Sequence, residues 1–101
     1  MQNITPEEVK QRLDKGEKLN LVDVREPYEN AEFNIGGILL PLEKIQNLEF
    51  DDIEDLKDQE IIFYCRTGNR STQACLFLEM TGFSNCKNLA GGMVQWKETS
   101  N

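Results

Sequence analysis

The stretch that most limits what this chain can fold into runs Ile61-Ile62-Phe63-Tyr64-Cys65-Arg66-Thr67-Gly68-Asn69-Arg70-Ser71 and continues as a helix-like run to Met80. Four consecutive apolar residues read as a strand buried on both faces, which suits a parallel sheet covered by helices. A short turn containing a glycine then opens a helix. A cysteine at the end of such a strand faces a ring of backbone N–H groups and a helix N-terminus. Arg66 and Arg70 add positive charge beside it. Surroundings of this kind favour a thiolate over a thiol and bind an anion next to it. The segment therefore reads as a nucleophilic sulfur that works on an anionic substrate or carries an anionic adduct.

The same strand–helix alternation recurs along the chain. Asn3 and Ile4 read as a short first strand. Thr5-Pro6-Glu7-Glu8 is a capping pattern, with Thr5 as N-cap, Pro6 at N1 and Glu8 at N3. It predicts a helix to about Lys15, with Val9 and Leu13 inward and Gly16 as its stop. Leu19 to Val24 reads as a buried strand. Arg25-Glu26-Pro27 leads into a short helical stretch over Tyr28 to Phe33, which Gly36-Gly37 breaks. Ile38 to Leu40 is a brief strand stopped by Pro41, and Leu42 to Asn47 and Ile53 to Leu56 are short helices. Glu60 to Tyr64 is the strongest strand signal. Ser71 to Thr81 is the strongest helix signal, with Ala74, Cys75, Leu78 and Phe77 inward and Gly82 as C-cap. Cys86 to Leu89 is the last strand, and Ala90-Gly91-Gly92 turns the chain into a helical end containing Met93 and Trp96. Alternation of this kind predicts an α/β fold whose sites sit at the carboxyl ends of parallel strands, where Cys65 stands. Residues 1–101 read as one domain, too short for a second core.

The 11 basic and 18 acidic residues leave a net charge of −7, which disfavours nucleic acid and anionic membrane surfaces as partners. No apolar run is long enough to span a bilayer, and no signal-peptide pattern opens the chain. Cys65, Cys75 and Cys86 form no Cys-x-x-Cys pair, and the chain has no histidine to complete a zinc set. The sequence implies no metal and no cofactor, and reduced thiols in the cytoplasm are expected.

The absence of histidine also removes every Cys–His and Ser–His nucleophile–base pair. Cys65 must then be activated by its surroundings. An ordinary thiol, with a pKa of about 8.5, is only a few per cent ionised at neutral pH. Making it mostly thiolate needs about 2.7 kcal/mol of differential stabilisation, which loop N–H groups, a helix N-terminus and arginines can supply.

Three separated blocks give the chain a resemblance to single-domain rhodaneses, the rhodanese-like sulfurtransferases. Leu21-Val22-Asp23-Val24-Arg25-Glu26-Pro27-Tyr28-Glu29 is similar to the family's Asp-Val-Arg-Glu segment. Cys65 to Ser71 is similar to its active-site loop, and Asn88-Leu89-Ala90-Gly91-Gly92 with Trp96 to its closing block. The blocks come in the family's order over nearly the full length. One departure is Asn34, which stands where family members commonly carry histidine. The resemblance implies a central parallel sheet of about five strands flanked by helices, and a persulfide on Cys65 as the covalent intermediate. It implies as partners a small anionic sulfur donor such as thiosulfate and an acceptor that is cyanide or a thiol, including a protein thiol. Arg66 directly after the cysteine resembles thiosulfate-type members.

Sulfur transfer suits a site with no base, because sulfite leaves as an already stable anion. Phosphoester cleavage usually needs a general acid for its alkoxide. Cys65 and Arg70 are separated by four residues, whereas the phosphatase loop Cys-x5-Arg is one residue longer. Arg66 and Arg70 are assigned to sulfonate recognition and thiolate stabilisation, and Gly68 to a positive φ or a close ligand approach. Ser71 is assigned to the helix cap or to contact with the adduct, and Thr67 and Asn69 to backbone N–H donation. Asp23 and Arg25 read as a structural ion pair and Cys75 as an inert core thiol. Cys86 reads as a core or surface residue, with a resolving thiol as the alternative. The rivals to a sulfurtransferase are a sulfur-relay carrier or binding module of the same fold, and a Cys-based phosphatase or arsenate reductase.

Overall fold

The computed structural model of the chain describes residues 1–99; the last two positions of the expected domain lie outside them. The strand signals become β1 (Gln2–Ile4), β2 (Leu21–Asp23), β3 (Ile38–Leu39), β4 (Glu60–Tyr64) and β5 (Asn85–Leu89). The helices are α1 (Pro6–Asp14), α2 (Pro27–Glu32), α3 (Leu42–Gln46), α4 (Asn69–Met80) and α5 (Gly92–Glu98), with a 3₁₀ helix over Asp51–Leu56. Among the described residues the strands form one sheet in the order β1-β5-β4-β2-β3, and every pairing is parallel. The expected α/β class is the observed one.

β4 lies at the centre of that sheet, between β5 and β2. Its apolar run follows from this position, because each successive side chain meets a covered face. Ile61, Phe63 and Cys65 join the core under α3, α4 and the 3₁₀ helix, with Ile45, Ile53, Ala74, Cys75 and Leu78. Ile62 and Tyr64 point the other way, into the core with Val9 of α1 and Met93 of α5. The carboxyl end of β4 therefore emerges beside that of β2, with helices on both sides. No helix among the described residues is long and apolar enough to cross a membrane.

Thr5 caps α1 as expected, its Oγ1 accepting from the Glu8 N–H at 3.1 Å. Leu13 departs from expectation: it is 36% exposed while Val9 is fully buried. α1 is only nine residues long, and only Pro6 and Val9, in its first turn, are buried. α4 also differs from its expected start. It begins at Asn69 because Gly68, in the left-handed region at φ 101°, turns the chain into the helix three residues earlier than a Ser71 cap would. Ser71 thus lies inside the first turn.

Candidate active site

The Cys65 side chain sits where β4 gives way to the loop, and it is 1% exposed. Three groups converge on its sulfur. The Gly68 N–H donates to Sγ at 3.1 Å and the Ser71 N–H at 3.4 Å. The Ser71 hydroxyl lies 3.3 Å from Sγ. Both amides come from the turn into α4, so the helix start and the loop act on the sulfur together.

The loop is held from below by α5. The Met93 N–H donates to the Cys65 carbonyl at 2.9 Å and the Val94 N–H to the Arg66 carbonyl at 3.0 Å. Gly92 makes that approach possible. A Cβ built there would lie 2.4 Å from the Cys65 carbonyl oxygen and 2.5 Å from that of Arg66. The Gly91-Gly92 pair of the third block is thus the seat of the loop.

The Arg70 side chain is half-buried. It is gripped by Glu29 of α2, Nη1 donating to Oε1 at 2.8 Å and Nη2 to Oε2 at 3.0 Å. The Glu26 N–H donates to the same Oε1 at 3.0 Å. The guanidinium and this backbone bond hold the Glu29 carboxyl down at about 2, and the pairing pushes Arg70 up. Arg66, Thr67 and Asn69 are exposed. Arg66 has no ion-pair partner among the described residues. It lines an open cleft of about 420 Å³ with Tyr28, Glu29, Phe33, Met93 and Lys97.

Asp23 and Arg25 form a buried pair one strand away. Arg25 Nε and Nη2 donate to the two Asp23 oxygens, each at 2.9 Å, and Asn30 Nδ2 donates to Oδ2 at 2.9 Å. Arg25 Nη2 also reaches the Phe33 carbonyl at 2.6 Å, and the Tyr64 hydroxyl donates to the Gly36 carbonyl at 3.0 Å. These bonds pin the segment after α2 to the ends of β2 and β4. Burial, with the Asp23 charge beside it, pushes the Tyr64 hydroxyl up to about 12, so it stays a donor. Asn34 closes the local turn: its Nδ2 donates to the Asn30 carbonyl at 3.0 Å, and its Oδ1 accepts from the Gly36 N–H at 2.9 Å.

The other cysteines stand apart. The register pairs Cys86 with Ile61, four residues along β4 from Cys65, or about 13 Å. That spacing leaves Cys86 too far to resolve an adduct on Cys65. Contact with Cys86 and burial push the Cys75 thiol up, so it remains protonated at neutral pH.

Sequence reasoning did not single out two residues that the fold brings to this site. Glu29 lay inside the first block, but nothing local joined it to Arg70. Asn88, 5% exposed, accepts a hydrogen bond from the Ser71 hydroxyl through its Oδ1, and its Nδ2 donates to Asn3 Oδ1 at 3.0 Å. Asn88 lay inside the third block, and its residue type was a further signal, since asparagine is depleted in strands.

A five-stranded parallel α/β domain with a cysteine held by loop amides at the end of its central strand defines a class of small Cys-loop proteins. The rhodanese-like domain family matches residues 5–99, and the chain belongs to that family of sulfurtransferases. It is 39% identical over 94 residues to a sulfurtransferase of Allochromatium vinosum, covering 92% of this chain and 85% of that protein. It is 38% identical over 93 residues to the probable adenylyltransferase/sulfurtransferase MoeZ of Mycobacterium tuberculosis, covering 92% of this chain but only 24% of that longer protein. Among solved structures, a rhodanese-like domain protein from Staphylococcus aureus superposes with a TM-score of 0.82 at 29% identity, covering 95% of this chain and 91% of that one.

Proposed function

We propose that this domain moves a sulfane sulfur from a small anionic donor such as thiosulfate to cyanide or a thiol, through a persulfide on Cys65. The observation that carries this is the convergence of the Gly68 and Ser71 N–H groups on Sγ in a chain with no histidine. Those donors stabilise negative charge on sulfur without a proton acceptor. The Cys65 thiolate attacks the outer sulfur of thiosulfate. The bond between that sulfur and the sulfonate sulfur breaks, and sulfite leaves with the electron pair. Cyanide or a thiolate then attacks the outer sulfur of the persulfide and restores the Cys65 thiolate. Neither step consumes or releases a proton.

Residues 66–71 form the proposed binding loop. Arg66, exposed at the cleft, is the group assigned to the sulfonate. Arg70, clamped by Glu29, acts as a fixed charge behind the sulfur. Gly68 and Ser71 supply donors to the sulfur, and Thr67 and Asn69 supply backbone. The burial of Cys65 favours small anions and slender thiols over bulky substrates. The proposal takes residues 1–101 as one domain and the cytoplasm as its location, in keeping with three free cysteines.

Intact-protein mass spectrometry after incubation with thiosulfate tests the chemistry. The expected result is a gain of about 32 Da that cyanide removes and that Cys65→Ser lacks. No gain from a protein that hydrolyses p-nitrophenyl phosphate would overturn the proposal in favour of a phosphatase.

A further inference from the structure

Two sets of hydrogen bonds with opposite preferences meet at the Cys65 sulfur. The Gly68 and Ser71 amides donate to it and so favour the thiolate. The Ser71 hydroxyl does the reverse in the arrangement observed. Its single proton goes to Asn88 Oδ1, so it presents a lone pair to Sγ at 3.3 Å and accepts the proton of a thiol. The carboxamide of Asn88 faces this way because its Nδ2 is engaged by Asn3 Oδ1 at 3.0 Å. Asn3–Asn88–Ser71–Cys65 is thus a continuous chain of hydrogen bonds from β1 across β5 to the reactive sulfur, with Ser71 and Asn88 both buried.

Such a chain has two polarities. If both carboxamides turn over, Asn88 Nδ2 donates to Ser71 Oγ. The hydroxyl proton then points at Sγ, where it supports a thiolate. Asn3 is exposed, so its amide can turn in water at little cost. We propose that Asn88 is a positioning residue for Cys65: its carboxamide, relayed by the Ser71 hydroxyl, sets whether the site holds the sulfur as thiol or as thiolate. This rests on Cys65 being the reactive group, but not on the identity of the sulfur donor.

The charged group that acts on the sulfur is Arg70 of α4, paired with Glu29 of α2 and close to Glu26 at the N-cap of that helix, while Arg66 of the loop is exposed. These charges are the same in Asn88→Ala, Ser71→Ala and Asn3→Ala, whereas Asn88→Asp adds a carboxylate on β5, so the Asn88→Ala shift and its loss in Ser71→Ala carry the test. The experiment is the pH profile of Cys65 alkylation by iodoacetamide, read on the Cys65 peptide by mass spectrometry. Asn88→Ala leaves the Ser71 proton free for the sulfur, and the midpoint falls by about one pH unit. Asn88→Asp presents only acceptors, and the midpoint rises. In a Ser71→Ala background the Asn88→Ala shift disappears, because the relay is gone. Midpoints that move in the same direction in both Asn88 variants overturn the proposal, as does an Asn88→Ala shift that survives in Ser71→Ala. If Asn88→Ala does not fold, Asn3→Ala carries the test: it releases the amide from the surface, giving a smaller downward shift, and an unchanged midpoint overturns the proposal. Thiosulfate-dependent mass gain, measured in parallel, reports the sulfur chemistry separately. Its absence alongside the expected shifts would refute the proposed function and leave the role of Asn88 standing.

Discussion

Gly92→Ala tests the idea that the third block exists to seat the active-site loop. The new Cβ would lie 2.4 Å from the Cys65 carbonyl oxygen, about 1 Å closer than the ordinary 3.4 Å. Its neighbours are backbone atoms on both sides, so no side chain can swing away. Relief requires α5 and the loop to part by about 1 Å, which stretches the Met93 and Val94 bonds from 2.9 and 3.0 Å beyond hydrogen-bonding range. Two such bonds are worth about 1–3 kcal/mol. Alanine at a φ of 56° adds about 1 kcal/mol more. The total is about 2–4 kcal/mol, a large part of the 5–15 kcal/mol typical of a whole domain. Urea unfolding followed by Trp96 fluorescence measures it. Gly16→Ala is the control, since Gly16 has a φ of 85° but nothing within 4 Å of its Cβ, and it carries the backbone cost alone. The expected result is a loss for Gly92→Ala at least 1 kcal/mol beyond Gly16→Ala. Slower persulfide formation in the folded fraction should accompany it. Equal losses in the two variants would refute the close-approach argument.

Further outcomes follow from the charged groups and from one strained residue. Glu60, bound by Arg12 and Lys87, and Glu29 are both held down from 4.5 to about 2 in the folded chain. A lowered carboxylate pKa stabilises the fold above the unfolded value, so stability is full above pH 4.5 and falls as pH drops toward 2. Urea midpoints at pH 7, 4.5 and 3 should show this, and Glu60→Gln should flatten the decline; a flat wild-type profile would contradict it. Glu29→Gln should free Arg70 and slow persulfide formation by about tenfold, measured by the rate of mass gain; an unchanged rate would remove Glu29 from the machinery. Leu48 has a φ of 64° and is 65% exposed, so Leu48→Gly should raise stability by about 0.5–1 kcal/mol in urea unfolding, and a loss would mean its side chain makes contacts worth more than the strain.

Much of the molecule was legible from local signals. Apolar runs, prolines, glycines and the Thr5 cap located every strand and nearly every helix, because each acts within a few residues of itself. Errors clustered at ends. Leu13 obeyed helical spacing but is left exposed, and Ser71 resembled a cap while Gly68 made the turn. The first outcome depends on what packs against α1, which no local window contains; the second turned on Gly68, three residues from Ser71.

For the site, the sequence by itself determined the chemistry on offer: one cysteine in a glycine-bearing turn between a buried strand and a helix, two arginines beside it, and no histidine anywhere. Covalent order alone guarantees that the loop amides lie near that sulfur. Only the tertiary structure decided which charges and dipoles act there. Glu29 meets Arg70 across 41 positions and Asn88 meets Ser71 across 17, while Asn3 completes the chain from 85 positions away. Those pairings exist because the sheet sets β1, β5 and β4 side by side and α2 packs near the start of α4. A hydrogen bond depends on distance in space, and distance along the chain carries almost no information about that until the strands have found their order.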